Sequence, residues 1–119
     1  MKQIRIVVEK IKGFAEEYER LDEEEQRILD ELKALKPLRG SIVYKWVKNK
    51  AGRKYYYFYL HEKVNGRTRS IYLGTSIPRE LIKGKEDRER YMKLTRRLRE
   101  IQERKSHLEW LFNMIMNWD

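Results

Sequence analysis

The chain has 119 residues, room for one domain and one modest core, and 39% of them are charged against a usual quarter. It has no cysteine, which excludes a disulfide framework and a thiolate metal site; no run approaches the ~18 apolar residues of a membrane-spanning helix. The net charge of +9 is uneven: residues 1–35 carry −3, residues 36–85 carry +11 and residues 86–119 carry +1, so the middle segment is expected to meet an anionic partner, most commonly nucleic acid.

Met1 to Val8 is broken by Gln3 and Arg5 and does not read as a secretory leader. A soluble, cytoplasmic protein is expected, nucleoid-associated if the partner is DNA, with no membrane and no small-molecule substrate. The Lys and Glu excess, with no Cys and few Asn or Gln, also suits a heat-tolerant protein.

A long helix is predicted over residues 2–36. Ile4, Val7, Ile11, Phe14, Tyr18, Leu21, Ile28, Leu32 and Leu35 recur at steps of three and four, with Glu25 in the one missing place. That is a heptad seam, the period shared by helices that wind together. Gly13 weakens it by about 1 kcal/mol relative to Ala, and Pro37 ends it. The acidic run Glu23–Glu25 reads as a solvated face, since adjacent helical carboxylates point apart.

Residues 39–75 read as a basic three-stranded sheet holding six of the eight tyrosines. The expected strands are Ser41–Lys48, Arg53–Glu62 and Arg67–Leu73, rich in Tyr, Trp, Val, Ile and Phe. Asn65–Gly66 predicts a type I′ hairpin turn, so that Val64 faces Arg67, Glu62 faces Arg69, Leu60 faces Ile71 and Phe58 faces Leu73. Lys50–Ala51–Gly52 fits a three-residue loop that sets Trp46 against Tyr56, Tyr44 against Phe58 and Ile42 against Leu60. A four-residue loop would turn the first strand over.

With the three-residue loop, strand alternation sorts the side chains into two faces. Ile42, Tyr44, Trp46, Tyr56, Phe58, Leu60, Ile71 and Leu73 form the face expected to be buried. Val43, Lys45, Val47, Tyr55, Tyr57, Tyr59, His61, Lys63, Thr68, Ser70 and Tyr72 form the face expected to be open. Such a surface can enter a DNA major groove or stack unpaired bases. Phosphate contacts are expected from Lys48, Arg53, Lys54, Lys63, Arg67 and Arg69, and base or groove contacts from Lys45, Tyr57, Tyr59 and Thr68.

This basic aromatic meander, closing in Tyr72–Leu73–Gly74 before a helix, resembles the arm-type, AP2-like DNA-binding domain at the N-terminus of tyrosine integrases. The resemblance covers roughly a third of the chain and implies a sheet lying in the major groove with a helix behind it. The long first helix departs from that pattern, and no integrase catalytic domain follows. Gly40–Ser41, Tyr55–Tyr57 and Tyr72–Gly74 are also similar to segments of short uncharacterised proteins of archaea and their mobile elements.

A short helix is expected over 76–84, with Ser76 as N-cap, Pro78 in the first turn and Gly84 as terminator or kink. A long helix follows over 86–118, its seam Tyr91, Leu94, Leu98, Ile101, Leu108, Phe112 and Ile115, with Lys105 in the one polar place. Glu25 and Lys105 either meet and fix the register of an antiparallel hairpin, or each reaches water on its own. Arg96, Arg97 and Arg99 read as a mixed solvated face beside Glu100 and Glu103. Residues 110–118 are apolar nearly all round, as are Ile4, Ile6, Val7 and Val8 in the first helix. A homodimer interface is therefore expected from Ile4, Val7, Val8, Trp110, Phe112, Met114, Ile115 and Trp118.

His61 and His107 have no metal-spaced partners, and no phosphate loop or catalytic motif is present. No catalytic residue, metal or cofactor is expected. The fold class is α+β: one domain over 1–119, a three-stranded antiparallel meander carried on an antiparallel two-helix coiled-coil hairpin. The leading functional expectation is a non-enzymatic, dimeric DNA-binding protein. The alternatives are a coiled-coil interaction or assembly module with an incidental basic sheet, and single-stranded nucleic-acid binding.

Overall fold

A computed structural model describes the backbone of residues 2–117 and the side chains of 3–117. Two helices and a three-stranded antiparallel sheet follow in the order α1 (Lys2–Ala34), β1 (Ser41–Lys48), β2 (Lys54–Val64), β3 (Arg67–Gly74) and α2 (Arg79–Met116). The class is α+β, as the sequence pattern implies. The chain divides into two compact units, one made of the α1 stretch with the chain from Tyr91 onward, the other Lys36–Arg90.

In the first unit α1 and the C-terminal part of α2 pair antiparallel along the two heptad seams. Leu21, Ile28, Leu94, Ile101 and Leu108 are buried, with Phe14, Tyr18, Leu32, Leu35 and Leu98 packed around them. Two Arg–Glu forks flank this seam one heptad apart. Arg97 donates from Nε and Nη2 to Glu24 at 2.7 and 2.9 Å, and Arg104 donates from Nε and Nη2 to Glu17 at 2.8 and 3.0 Å. A step of seven up one helix matches a step of seven down the other, as an antiparallel heptad pairing requires. Arg97 thus belongs to the helix pairing as well as to the solvated face, where it also meets Glu100. Toward its ends the seam opens. Ile4, Tyr91 and Phe112 are exposed, although the three-four rhythm includes them.

The second unit holds the meander, in the order β1-β2-β3. Trp46 faces Tyr56, Tyr44 faces Phe58 and Ile42 faces Leu60, the register of a three-residue loop. Asn49 closes that loop, its backbone N–H donating to the Arg53 carbonyl and its side chain accepting from the Arg53 N–H. Asn65 and Gly66 both adopt positive φ, 52° and 78°, as a type I′ turn demands. The β2–β3 register holds from Val64–Arg67 to Tyr59–Tyr72 and then shifts, so that Phe58 lies opposite Gly74 and not opposite Leu73. One extra residue in β3 makes this bulge, which turn chemistry at the far end of the hairpin does not encode.

The two C-terminal helices expected over 76–84 and 86–118 are one continuous helix, α2. It begins at Arg79, two residues later than a Ser76 cap would place it, with the Pro78 carbonyl accepting from Leu81 and Ile82. Gly84 does not end it. Gly84 is buried, and a Cβ there would stand 3.2 Å from the Leu38 Cβ.

The glycine opens the helix surface to the extended segment after α1. The Leu38 N–H donates to the Gly84 carbonyl at 2.9 Å, and the Lys36 N–H to the buried Asp87 carboxylate at 3.0 Å. Pro37, which has no N–H to satisfy, falls between these two donors. Arg88 donates to the Gly40 carbonyl. Gly40 itself has φ 100° and lies so close to the His61 carbonyl that no side chain fits there.

Candidate nucleic-acid interface

Leu60 is the buried centre of one sheet face, with Ile42 and Ile71 opposite it in the ladder and half-buried, as are Phe58 and Leu73. The opposite face carries a continuous aromatic row. Tyr55 stacks with Tyr57 at 6.5 Å between ring centroids, and Tyr72 packs edge-on against both Tyr57 at 5.4 Å and Tyr59 at 5.6 Å. The Lys45 amine lies over the Tyr59 ring at 4.3 Å. Tyr57 and Tyr59 belong to the central strand and are half-buried by these neighbours, while Tyr55 and Tyr72 are exposed. Mutual packing lowers the rotamer freedom of the rings and leaves their outer edges open, a stiff surface with one amine held upon it. His61 shares this face, and its Nε2 is enclosed without a hydrogen-bond partner.

The ten expected contact residues do not lie on one surface. Lys45, Tyr57, Tyr59, Lys63 and Thr68 share the tyrosine face by strand alternation. Lys48, Lys54, Arg67 and Arg69 fall on the leucine face, and Arg53 sits at the end of the β1–β2 loop. The four expected base-contacting residues thus stay together, and the expected phosphate-contacting ones divide. Arg69 pairs with Glu62 across the strands. Lys54 and Lys48 place their amines over Trp46, at 4.6 and 5.8 Å from its ring.

The leucine face also departs from expectation. Tyr44, Trp46 and Tyr56 are 59, 47 and 49% exposed, where the alternation pattern implies burial. β3 ends at Gly74 opposite Phe58, so residues 54–57 of β2 pair with β1 alone. Trp46 lies four residues beyond Ile42, ~13 Å along an extended strand, well past the buried row. The side chains that sequence reasoning missed as available are these three, whereas Tyr72 is exposed on the open face where alternation places it. An acid-free stretch gives a signal for these three: Lys36 to His61 contains seven basic residues and no acidic one.

The expected interface residues at the free ends of the hairpin are Ile4, Val8, Trp110, Phe112 and Met114, all exposed, with Val7 and Ile115 half-buried. Trp118 lies outside the described residues. Among the described residues no group of three His, Asp or Glu side chains could hold a metal ion, and no helix is long and apolar enough to cross a membrane.

These features define an α+β protein that joins a basic aromatic meander to a helical hairpin. The chain belongs to the family of the domain of unknown function DUF6788, whose model matches residues 18–83. The match takes in the second half of α1, all three strands and the start of α2. No curated protein and no solved structure matches the chain.

Proposed function

We propose that the chain is a non-enzymatic nucleic-acid-binding protein that grips double-stranded DNA with the tyrosine face of its sheet and acts as a dimer through the free ends of its helices. The observation that carries this reading is the Tyr55–Tyr57–Tyr72–Tyr59 row with the Lys45 amine upon it, all but Tyr72 drawn from the acid-free stretch Lys36–His61. A two-stranded or three-stranded ribbon fits the major groove. Lys45 and Thr68 then reach base edges, and Lys63 and Arg53 at the two ends of the sheet reach phosphates. In a cell without a nucleus, such a protein is cytoplasmic and associated with the nucleoid.

The test is a mobility-shift titration with duplex DNA, single-stranded DNA and RNA at two salt concentrations. Duplex binding is expected, falling steeply with salt because each neutralised phosphate releases counterions. Replacing Lys45, Arg53 and Lys63 together by alanine weakens binding at unchanged helicity. Failure to bind any of the three at low salt refutes the reading.

One observation favours a second reading, an interaction or assembly module in which the helical hairpin is the working surface. Phe14, Tyr18, Leu108 and Phe112 line an open groove between α1 and α2, beside the exposed apolar ends. Under that reading the sheet binds no nucleic acid, and the same titration separates the two.

A further inference from the structure

Duplex binding by the tyrosine face leaves an aromatic surface without a role. The β1–β2 hairpin runs past the end of β3 as a two-stranded ribbon, and this ribbon is aromatic on both sides. On its back, Tyr44 stacks on Phe58 with 4.6 Å between centroids and lies 5.4 Å from Tyr56. Trp46 completes the patch beneath the Lys54 and Lys48 amines. Three large rings standing in water are costly unless they hold something, and the lysines and the acid-free stretch set the charge of what they hold.

A ribbon in a major groove turns one face to the base edges and the other away from the duplex. Rings beside amines, facing away from a duplex, suit unpaired nucleotides: every base offers a π-face, and the amines take the phosphates between. We infer that Tyr44, Trp46 and Tyr56 form a stacking platform for single-stranded nucleic acid, so that the preferred ligand is a junction where duplex gives way to a single strand. This rests on the nucleic-acid reading above and names the ligand class of the same sheet. The duplex lies against Lys45, Tyr57 and Tyr59. The strand that leaves it crosses Trp46, and the loop carrying Lys50 and Arg53 stands where the two strands part.

The test is fluorescence anisotropy on the full chain with one labelled DNA duplex, blunt or extended at either end by about eight unpaired nucleotides, within the usual span of a single-strand site. The tailed duplex is expected to bind about tenfold tighter, a modest yield for stacking on three rings. Tyr44→Leu, Trp46→Leu and Tyr56→Leu together abolish that gain and leave blunt-duplex affinity within about twofold, because the tyrosine face is untouched. Equal binding of tailed and blunt duplex by the wild type, or a triple variant that keeps the gain, overturns the platform while the duplex reading stands. Binding of neither probe overturns both. If circular dichroism finds the triple variant unfolded, Trp46→Leu alone takes its place. The tail then gains less than half as much as in the wild type, and wild-type tryptophan emission is quenched by the tailed probe more than by the blunt one. An unchanged gain overturns the proposal. So does a tryptophan emission that does not respond to the tail.

Discussion

Lys105 Nζ lies 3.1 Å from Glu25 Oε1, joining the one charged residue in the apolar seam of α1 to the one in the seam of α2. The same amine reaches Asp22 at 2.7 Å and lies over the Tyr18 ring at 4.8 Å. Both side chains are mostly enclosed, 13 and 20% exposed, while the Asp22 that shares the amine stands in water. Lys105→Leu alone should lower stability by ~1–2 kcal/mol, between the values of exposed and fully buried pairs, or ~5 °C in Tm. Glu25→Leu with Lys105→Leu should restore or exceed the wild-type Tm, since an apolar pair fills the seam without a desolvation cost. Thermal melting followed by circular dichroism reads both. A single variant as stable as the wild type would show that the pair contributes nothing.

The flanking forks set the response to acid. The Arg104 guanidinium holds the Glu17 carboxyl below its ordinary 4.5, and Arg97 does the same for Glu24. The Lys83 amine, followed by the Lys36 N–H, holds Asp87 below its ordinary 3.8. A folded pKa below the unfolded one means that the folded state binds fewer protons between the two values, so stability rises with pH across that window. These contributions are complete above about pH 5 and are lost as pH falls through the lowered values. Lys105 behaves oppositely. Its pKa is raised, first by Asp22, so its contribution is complete below its ordinary 10.5 and is lost only as pH climbs through the raised value. Tm is therefore expected to be flat near neutrality and to fall on the acid side. Glu17→Gln with Glu24→Gln should lower the neutral plateau slightly, because exposed pairs contribute little, and should flatten the acid limb. An acid limb of unchanged slope would remove the forks from the account.

Local chemistry wrote much of this fold legibly. Asn65–Gly66 and Gly52 fixed two registers because positive φ is a demand few residues meet, and the three-four rhythm named the residues that pair α1 with α2. What stayed hidden depends on distance. Alternation assigns Tyr44 and Trp46 to a side of the sheet, but not how far along the strand that side is covered. Gly84 looks like a helix end because its reason, the approach of Leu38, lies far away in sequence. The tyrosine row was readable as a face, and its stiffening through Tyr72 was not, since that depends on packing between strands.

Two glycines within helices make the distance argument testable. Around Gly13 nothing lies within 4 Å of an added Cβ, whereas at Gly84 the Leu38 Cβ, Cα and N lie 3.2, 3.4 and 3.5 Å away. Gly13→Ala should raise stability by ~1 kcal/mol, the difference in helix propensity. Gly84→Val should lower it, because two further carbons must displace the backbone of the segment that hydrogen-bonds there. Chemical denaturation of each variant checks this. A stabilising Gly84→Val would mean that Leu38 does not hold its place on α2.

From Trp110 to Asn117 no residue is charged, while the rest of α2 has no comparable uncharged run. Trp110, Met114 and Met116 are exposed, as are Ile4, Ile6 and Val8 in the first turns of α1. A helical pair buries one stripe from each partner, and these side chains extend beyond that stripe on both helices. A second copy of the chain offers the same excess and is the partner always present. Light scattering should therefore give twice the 14.7 kDa mass of one chain. Trp110→Glu with Met114→Glu should return the mass to that of one chain with helicity retained, because both positions face water in the single chain. A wild-type mass of one chain at working concentration would refute the dimer. Two sheets held in one dimer also raise effective concentration along a duplex, so the monomeric variant should bind duplex DNA more weakly with every sheet residue intact.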